Sequence, residues 1–360
     1  MKKNQIYLDV GNKIQTGILD HHQVQTGPKQ YKCAAQIVVD QPNLILGAVE
    51  INPYKKSLPV NIVLHRNPDF DCCASAYLAS ELIKNGELPE GAELLADYTA
   101  QVDAGFKMLD PGQMKTPFVA LLSLSNYISR IRPKTGDHNS SVLGEGMNIM
   151  KILTQSLVRG TDPDSSQSLD WTQEPLSTLF SLVRKDYAQY RKNFQRTSAT
   201  AFEVLSLPLF KRGMSGIGMA DALFIKDYNS MLFKYWARSD KEHSPGGNGF
   251  IMTLATKNDI TIIATDPNTE YFLPYLGQVL EKEEVYTRLE KEGKDSRIYG
   301  PQGNMKKIRF HYNNDPWYDG RGHDFTIIQN PSCGTVLSHE RIVAITKDLY
   351  CDPRLNHACS

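Results

Sequence analysis

The residues His65–Asp71, HRNPDFD, place one imidazole and two carboxylates close together in the chain. They follow a short apolar run, Asn61–Leu64, and precede an apolar-rich segment, Cys72–Lys84, that Gly86 is placed to end as a helix. Concentrated negative charge is costly unless it is compensated, usually by a divalent cation. Mixed nitrogen and oxygen ligands suit a transition metal better than calcium or magnesium. The alternative is an Asp-rich turn in which Asp71 caps the next helix.

Two more apolar runs end in side chains of the same kinds. Ile6–Leu8 is followed by Asp9, and Ile18-Leu19 is followed by Asp20-His21-His22. Open α/β sheets present sites at the carboxyl ends of their strands, so we expect the three groups to meet. Together they provide enough ligands for two metals that share a bridging carboxylate.

These motifs resemble those of the DHH phosphoesterase superfamily, which includes family II pyrophosphatases, exopolyphosphatases and RecJ-type phosphodiesterases. His65–Asp71 resembles the motif H-x-N-P-D-x-D, Asp9 resembles the isolated aspartate, and Asp20-His21-His22 resembles the DHH triplet. The order differs from the family pattern, because H-x-N-P-D-x-D here comes last. A circular permutation that keeps the sheet and the site would explain this order.

The resemblance implies a centre of two metals, usually Mn²⁺, with Mg²⁺ or Co²⁺ possible. In this hypothesis Asp9 bridges the metals, and the remaining ligands are His65, Asp69, Asp71, His21 and an aspartate of the fourth motif. Asp103 is favoured for that last position over Asp97, because VDAG is an apolar approach to an Asp before a small-residue turn. Catalytic roles fall to Asp20 and His22, and Asn67 is predicted to bind substrate.

The C-terminal half contains a second polar stretch, centred on GRGH. Gly320, Arg321, Gly322 and His323 resemble a variant of the glycine-rich substrate loop of DHH-associated domains. Arg321 offers a planar fork for phosphate oxygens, and His323 a second donor, so both are predicted catalytic and substrate-binding residues. Ser332 is a further predicted substrate contact. The alternative is an ordinary β-turn, because Asp-Gly is a turn signal.

The predicted function is metal-dependent hydrolysis of a phosphoanhydride or phosphodiester bond. The partner would be a phosphorylated small molecule, polyphosphate or a short nucleotide. One alternative is a nuclease or cyclic-dinucleotide phosphodiesterase, for which Trp317 and Tyr318 could stack on bases. The other is a sensor that binds a metal or nucleotide without catalysis.

The composition of the chain narrows the classes of partner and location that the motifs allow. The 360 residues include 40 basic and 40 acidic side chains, so net charge gives no strong nucleic-acid signal. An apolar run long enough to span a membrane is absent from the sequence, so no membrane partner is expected. The N-terminus lacks the apolar stretch of a signal peptide, and the six cysteines form no C-x-x-C pair. We therefore predict a cytoplasmic protein with reduced thiols.

The elements that must position these residues indicate an α/β protein. We predict a DHH-like domain over residues 1–198, with a mostly parallel sheet flanked by helices. A smaller α+β substrate-binding domain is predicted over 199–360. AAQIVV and LILGAVEI are predicted as two strands, or as a strand and a short helix.

The spacing of apolar residues predicts further helices and strands. Met147–Val158 and Glu174–Gln195 are predicted helices, with a loop over Gly160–Ser168. Alternation around Leu232–Trp236 favours a strand. Tyr275–Lys291 is a predicted helix whose charges form a solvated face. Strands and loops are expected after it, and His243–Gly249, HSPGGNG, is predicted to be a hairpin or a lid.

Overall fold

The computed structural model describes an α/β protein that contains two compact units. The described residues are 4–22, 30–50, 59–65, 68–131, 138–195, 202–212, 216–258, 260–293, 315–321 and 326–351. Contacts group Met1–Lys107 with Gly112–Lys185 in the first unit, and Met108–Pro111 with Asp186–Ser360 in the second. Each unit has its own apolar core.

The sheet of the first unit brings three strand ends to one edge. Its order is β2 (Ile14–Gln15), β3 (Ile18–Leu19), β1 (Gln5–Leu8), β4 (Asn61–Val63). Strand β1 runs parallel to both β3 and β4, whereas β2 and β3 are antiparallel. Leu8 pairs with Leu19, and Tyr7 pairs with both Ile18 and Val63. The residues that follow β1, β3 and β4 therefore emerge side by side.

Helices surround this sheet. They are α1 (Ala34–Asp40), α2 (Asn43–Leu46), α3 (Phe70–Asn85), α4 (Ala92–Asp103), α5 (Pro117–Ile131), α6 (His138–Val158) and α7 (Leu176–Asn193), the last of which continues into the second unit. The prediction of at least one strand within AAQIVV and LILGAVEI is wrong, because the structure has two helices there. Short apolar runs do not distinguish a buried helix from a strand, and here tertiary contacts decide.

Helix α3 is the central helix of the first unit. Asp69 caps its N-terminus by accepting a hydrogen bond from Cys72 N at 3.0 Å, and Gly86 ends it in the left-handed region with φ of +80°. Most of its side chains are buried, because α1, α4 and α6 all pack against it. At Gly146 of α6, an added Cβ would lie 2.3 Å from Cys73 Sγ, so the two helices meet closely there.

The second unit is built on a seven-stranded sheet. Its order is β10 (Tyr318–Arg321), β11 (Thr326–Gln329), β8 (Ile260–Thr265), β7 (Met252–Lys257), β6 (Ile217–Lys226), β5 (Phe202–Lys211), β9 (Tyr271–Phe272). All neighbours are antiparallel except β6 and β7. This largely antiparallel pairing agrees with the α+β character expected of this half.

Two element predictions in this unit are wrong. The alternating segment around Leu232–Trp236 contains helix α8 (Phe233–Ser239), in which Phe233 and Trp236 share a buried face. The C-terminal segment predicted as strands and loops contains helix α10 (His339–Cys351). In both, burial in the tertiary structure outweighs weak local signals. His243–Gly249 is not a hairpin, since it leads into β7, which runs parallel to β6.

Helix α9 (Leu276–Glu292) also departs from expectation. The predicted solvated charged face is wrong for Glu281, Glu284 and Arg288, which are buried. Glu284 accepts hydrogen bonds from Arg288 Nε at 2.8 Å and from Trp317 Nε1 at 3.2 Å. Buried charges persist where they are paired and hydrogen-bonded, a property that helical spacing does not reveal.

Within the described residues, no helix has the length and apolarity needed to cross a membrane.

Candidate metal centre

Asp9 is the residue on which the candidate centre converges. It follows β1 directly and has a φ of +60°, a left-handed conformation that few residues other than Gly, Asn and Asp adopt. Its backbone N–H donates to Leu19 O at 2.9 Å, which holds it beside the end of β3. The side chain is almost completely buried, with 4% exposed.

One group of possible ligands combines Asp9 with the loop after β4 and the start of α3. A ligand atom from each of Asp9, His65, Asp69 and Cys72 lies within 4.8 Å of the others. His65 Nε2 is 3.3 Å from Asp9 Oδ2 and 3.1 Å from Asp69 Oδ2. Cys72 Sγ is 3.8 Å from the same Asp9 oxygen.

A second group combines Asp9 with the DHH triplet. Asp9, Asp20, His21 and His22 also have ligand atoms within 4.8 Å of one another. The Nδ1 atoms of His21 and His22 lie 3.4 Å and 3.3 Å from Asp9 Oδ1. The two groups therefore share Asp9 and approach different oxygens of its carboxylate.

The carboxylate of Asp9 has an unsatisfied acceptor. Among the described residues, no donor makes a hydrogen bond to the buried Asp9 Oδ1. A buried acceptor left without a partner is costly, and bound cations commonly satisfy such atoms. This observation, together with the nitrogen, oxygen and sulfur donors around it, fits a divalent transition metal.

Asp103 and Asp97 occupy different environments on α4. Asp103 Oδ2 lies 3.0 Å from His21 Nε2, on the side of the ring away from Asp9. Asp97 is exposed. The structure thus brings Asp103 to the centre and leaves Asp97 outside it.

Asp71 faces the start of α1 rather than its own helix. Its two oxygens accept hydrogen bonds from Ala34 N at 2.6 Å and Ala35 N at 2.9 Å. Burial, with the nearby Asp9 and Asp103 carboxylates, raises the pKa of Asp71 well above its usual range. Asp71 Oδ2 remains 3.9 Å from His21 Nδ1, so it borders the second group.

Neighbouring carboxylates raise the pKa values of the histidines in the centre. Burial alone would lower the pKa of His21, but the nearby Asp103 and Asp9 carboxylates outweigh it and raise the pKa to about 11. Hydrogen bonds with Asp69 and Asp9 raise the pKa of His65 to about 12. Burial would raise the pKa of Asp9, yet its contacts with His21 and His65 keep it below the usual value. These raised pKa values favour protonated imidazoles at neutral pH in the metal-free protein.

The second histidine of the triplet is more accessible. Asp20 Oδ1 accepts from His22 N at 3.0 Å and lies 2.8 Å from His22 Nδ1, while Asp20 Oδ2 accepts from Asn12 N. The His22 side chain is 54% exposed, whereas Asp20 is buried. Asp69 is likewise half exposed, so the centre has a buried floor at Asp9 and an open side.

Cys72 is the residue of the centre that sequence reasoning missed. From the sequence, Cys72 and Cys73 at the start of the predicted helix are expected to pack as small apolar residues. Cys73 does so against α6, but Cys72 Sγ lies beside Asp9. The available signal was its position directly after Asp71 at the start of a helix that follows a ligand-rich loop.

The remaining predicted site residues are placed as follows. Asn67, Gly322 and His323 lie outside the described residues, and so does the side chain of Arg321. Gly320 and Arg321 form the end of β10, which pairs with β11. Ser332 is exposed and donates its backbone N–H to Asp315 Oδ1 at 2.8 Å.

Comparisons of the chain with protein-family models, with curated proteins and with solved structures find no match. Function is therefore inferred from the residues of the centre and their geometry.

Proposed function

We propose that this protein is a metal-dependent phosphohydrolase of the DHH type, with two divalent metals held around Asp9. The observation that carries the proposal is the division of the Asp9 carboxylate. Oδ2 faces His65, and Oδ1 faces His21 and His22. A carboxylate with each oxygen directed at a separate ligand group is suited to bridge two cations.

Two sets of side chains would hold the metals. His65 and Asp69 would hold one metal with Asp9, and His21 would contribute to the other through the nitrogen that faces Asp9. Asp103, on the opposite nitrogen of His21, would orient this ring, as carboxylates behind metal-binding histidines commonly do. When bound, the metals would act as Lewis acids and lower the pKa of a bound water, so that hydroxide is available at neutral pH.

His22 and Asp20 would act on the substrate. The hydrogen bond with Asp20 raises the pKa of His22 and favours an imidazolium with both ring protons. With Nδ1 engaged by Asp20, the Nε2–H is the donor left for an anionic oxygen of a phosphate. The half-exposed side chain of His22 supports this role.

The substrate class that fits is a phosphoanhydride or phosphodiester, carried by a phosphorylated small molecule, polyphosphate or a short nucleotide. The chain's zero net charge favours a short anion over a long nucleic acid. Phosphate contacts from Gly320, Arg321, Gly322, His323 and Ser332 remain part of this proposal. The predicted cytoplasmic location also remains part of this proposal.

The test is metal content with turnover, in wild type and Asp9→Asn. Purified protein would be assayed with Mn²⁺, Mg²⁺, Co²⁺ or Zn²⁺ against pyrophosphate, polyphosphate, a short oligonucleotide, a cyclic dinucleotide and a chromogenic phosphodiester. We expect wild type to hydrolyse at least one of these substrates. Asp9→Asn should lower this turnover by more than roughly 10–100-fold, which is the loss typical of residues that orient metal ligands. Asn keeps the shape of Asp but loses the charge that bridges two cations.

Glu93→Gln serves as the matched control, because Glu93 is an exposed carboxylate on α4 of the same unit. It should keep wild-type activity and metal content. Turnover that survives Asp9→Asn overturns the proposed centre. Stoichiometric metal without turnover on any substrate class favours the sensor instead, and the preferred substrate separates a phosphoanhydride hydrolase from a nuclease.

A further inference from the structure

Cys72 and Cys73 are adjacent in sequence and differ in surroundings. Cys73 Sγ lies against Gly146 of α6, within the apolar core. Cys72 is fully buried as well, but its thiol points toward carboxylate and imidazole groups, with Sγ 3.8 Å from Asp9 Oδ2. The Cys72 thiol is within hydrogen-bonding distance of Asp9 Oδ2, so it faces the candidate centre, whereas the Cys73 thiol faces the apolar core.

The position of Cys72 is fixed by the same residue that faces His65. Asp69 Oδ1 accepts from Cys72 N at 3.0 Å, while Asp69 Oδ2 lies 3.1 Å from His65 Nε2. The cap of α3 therefore sets the imidazole, the carboxylate and the thiol on one side of Asp9. Asp9 Oδ1, which is buried and accepts no hydrogen bond among the described residues, is a second observation that points to a cation at this carboxylate.

We propose that Cys72 is a direct thiolate ligand of the metal held by Asp9, His65 and Asp69. This inference rests on the proposed metal centre and refines it. On binding, the Sγ–H bond breaks, the proton passes to solvent and a sulfur–metal bond forms, with no change of oxidation state. Cys72 is then a specificity-determining residue of the first ligand group.

A thiolate changes which metal this position prefers. One sulfur, one imidazole nitrogen and two carboxylates suit Zn²⁺, Co²⁺ or Fe²⁺. Mn²⁺ and Mg²⁺ prefer oxygen-rich sites. The second group, Asp9, Asp20, His21 and His22, has no sulfur among its members. The two positions would therefore differ in selectivity, and the first would favour a softer cation than the Mn²⁺ that the family resemblance implies.

Cobalt titration of the whole chain tests this by spectroscopy. Co²⁺ in a protein site gives visible d–d bands, and a Co²⁺–thiolate bond adds a charge-transfer band in the near ultraviolet. Wild type should show both sets of bands. Cys72→Ser should keep the d–d bands but lose the near-ultraviolet band. Cys73→Ser is the matched control and should retain both, since its thiol lies in the core.

The outcomes separate this inference from the proposed function. Visible bands without a charge-transfer band in wild type, or a charge-transfer band that survives Cys72→Ser, overturn the thiolate ligand and leave the metal centre standing. Absence of all cobalt bands in wild type overturns both. Competition with a chromophoric chelator provides a second measurement, in which Cys72→Ser should weaken Zn²⁺ binding by at least about 10-fold and leave Mg²⁺ binding unchanged.

Discussion

At the scale of single residues, Asp9 combines three features that rarely occur together by chance. It is buried, it has a left-handed backbone conformation and one of its carboxylate oxygens lacks a hydrogen bond among the described residues. Each feature costs folding free energy. Such costs concentrate at functional sites, where a ligand or a reaction requires the geometry.

Asp103, the aspartate behind His21, provides a test at this scale. Asp103→Asn should weaken metal binding by roughly 10–100-fold, because its carboxylate engages His21 Nε2. Asp97→Asn should bind metal as wild type does, since Asp97 is exposed on another face of α4. Isothermal titration calorimetry of both variants measures the difference. Equal affinities would show that Asp103 does not support the ring.

The raised pKa values predict how the stability of the metal-free protein depends on pH. The folded-state pKa of His21 is about 11 and that of His65 about 12, against an ordinary value of 6.5. Their stabilisation is fully present below about pH 6.5 and is lost as pH rises toward the folded values, because the native state holds more protons than the unfolded state there. Urea unfolding of chelator-treated protein should thus give a lower free energy at about pH 9 than at about pH 6.5.

Saturating metal provides the control for this measurement. Bound metal replaces the imidazole protons, so the decline of unfolding free energy over this window should become smaller. An unfolding free energy that rises with pH in the metal-free protein would contradict the proposed ion pairs.

At the scale of elements, the centre depends on one parallel arrangement and one helix cap. β1 lies between β3 and β4 and runs parallel to both, so three loops begin at the same edge. Helix α3 begins at that edge, where Asp69 caps it and orients Cys72. Short strands and a buried helix thus set the positions of the ligand groups without a long loop.

Helix α9 provides a second test at the element scale, in the other unit. Glu284→Gln should lower the free energy of unfolding by about 3–5 kcal/mol, because it breaks a buried pair with Arg288 and leaves donors such as Trp317 Nε1 poorly matched. Glu283→Gln on the same helix should cost less than about 1 kcal/mol, since its pair with Arg341 is solvent-accessible. Urea denaturation followed by tryptophan fluorescence measures both. Similar losses would contradict the distinction between the two carboxylates.

At the scale of the whole molecule, all residues of the candidate centre belong to the first unit. Metal should therefore slow amide exchange most in peptides that contain the ends of β1 and β3 and the first turn of α3. At metal concentrations about 100 times Kd, exchange through opening of the centre should slow by up to about 100-fold. Hydrogen exchange with mass spectrometry measures this.

Peptides from β7 and β8, in the second unit, are the internal control and should change little in their local exchange. Protection that appears there and not at the strand ends would place the metal elsewhere.

The sequence by itself determined the ligand types and the strand-end pattern. The runs before Asp9, Asp20 and His65 are strands or strand ends, and α3 follows the ligand-rich loop as predicted. These features are local, because period and capping signals lie within a few residues of one another. The overall α/β class follows from them.

Only the tertiary structure decided which side chains meet. Asp71 binds the amides of α1, Asp103 rather than Asp97 reaches His21, and Cys72 rather than Cys73 faces Asp9. Each depends on how elements distant in sequence pack. A one-residue difference on a helix turns a side chain by about 100°, so adjacent residues can point to a metal centre and to a core. Helical spacing likewise could not reveal that Glu284 is buried, because burial depends on the partners that surround the helix.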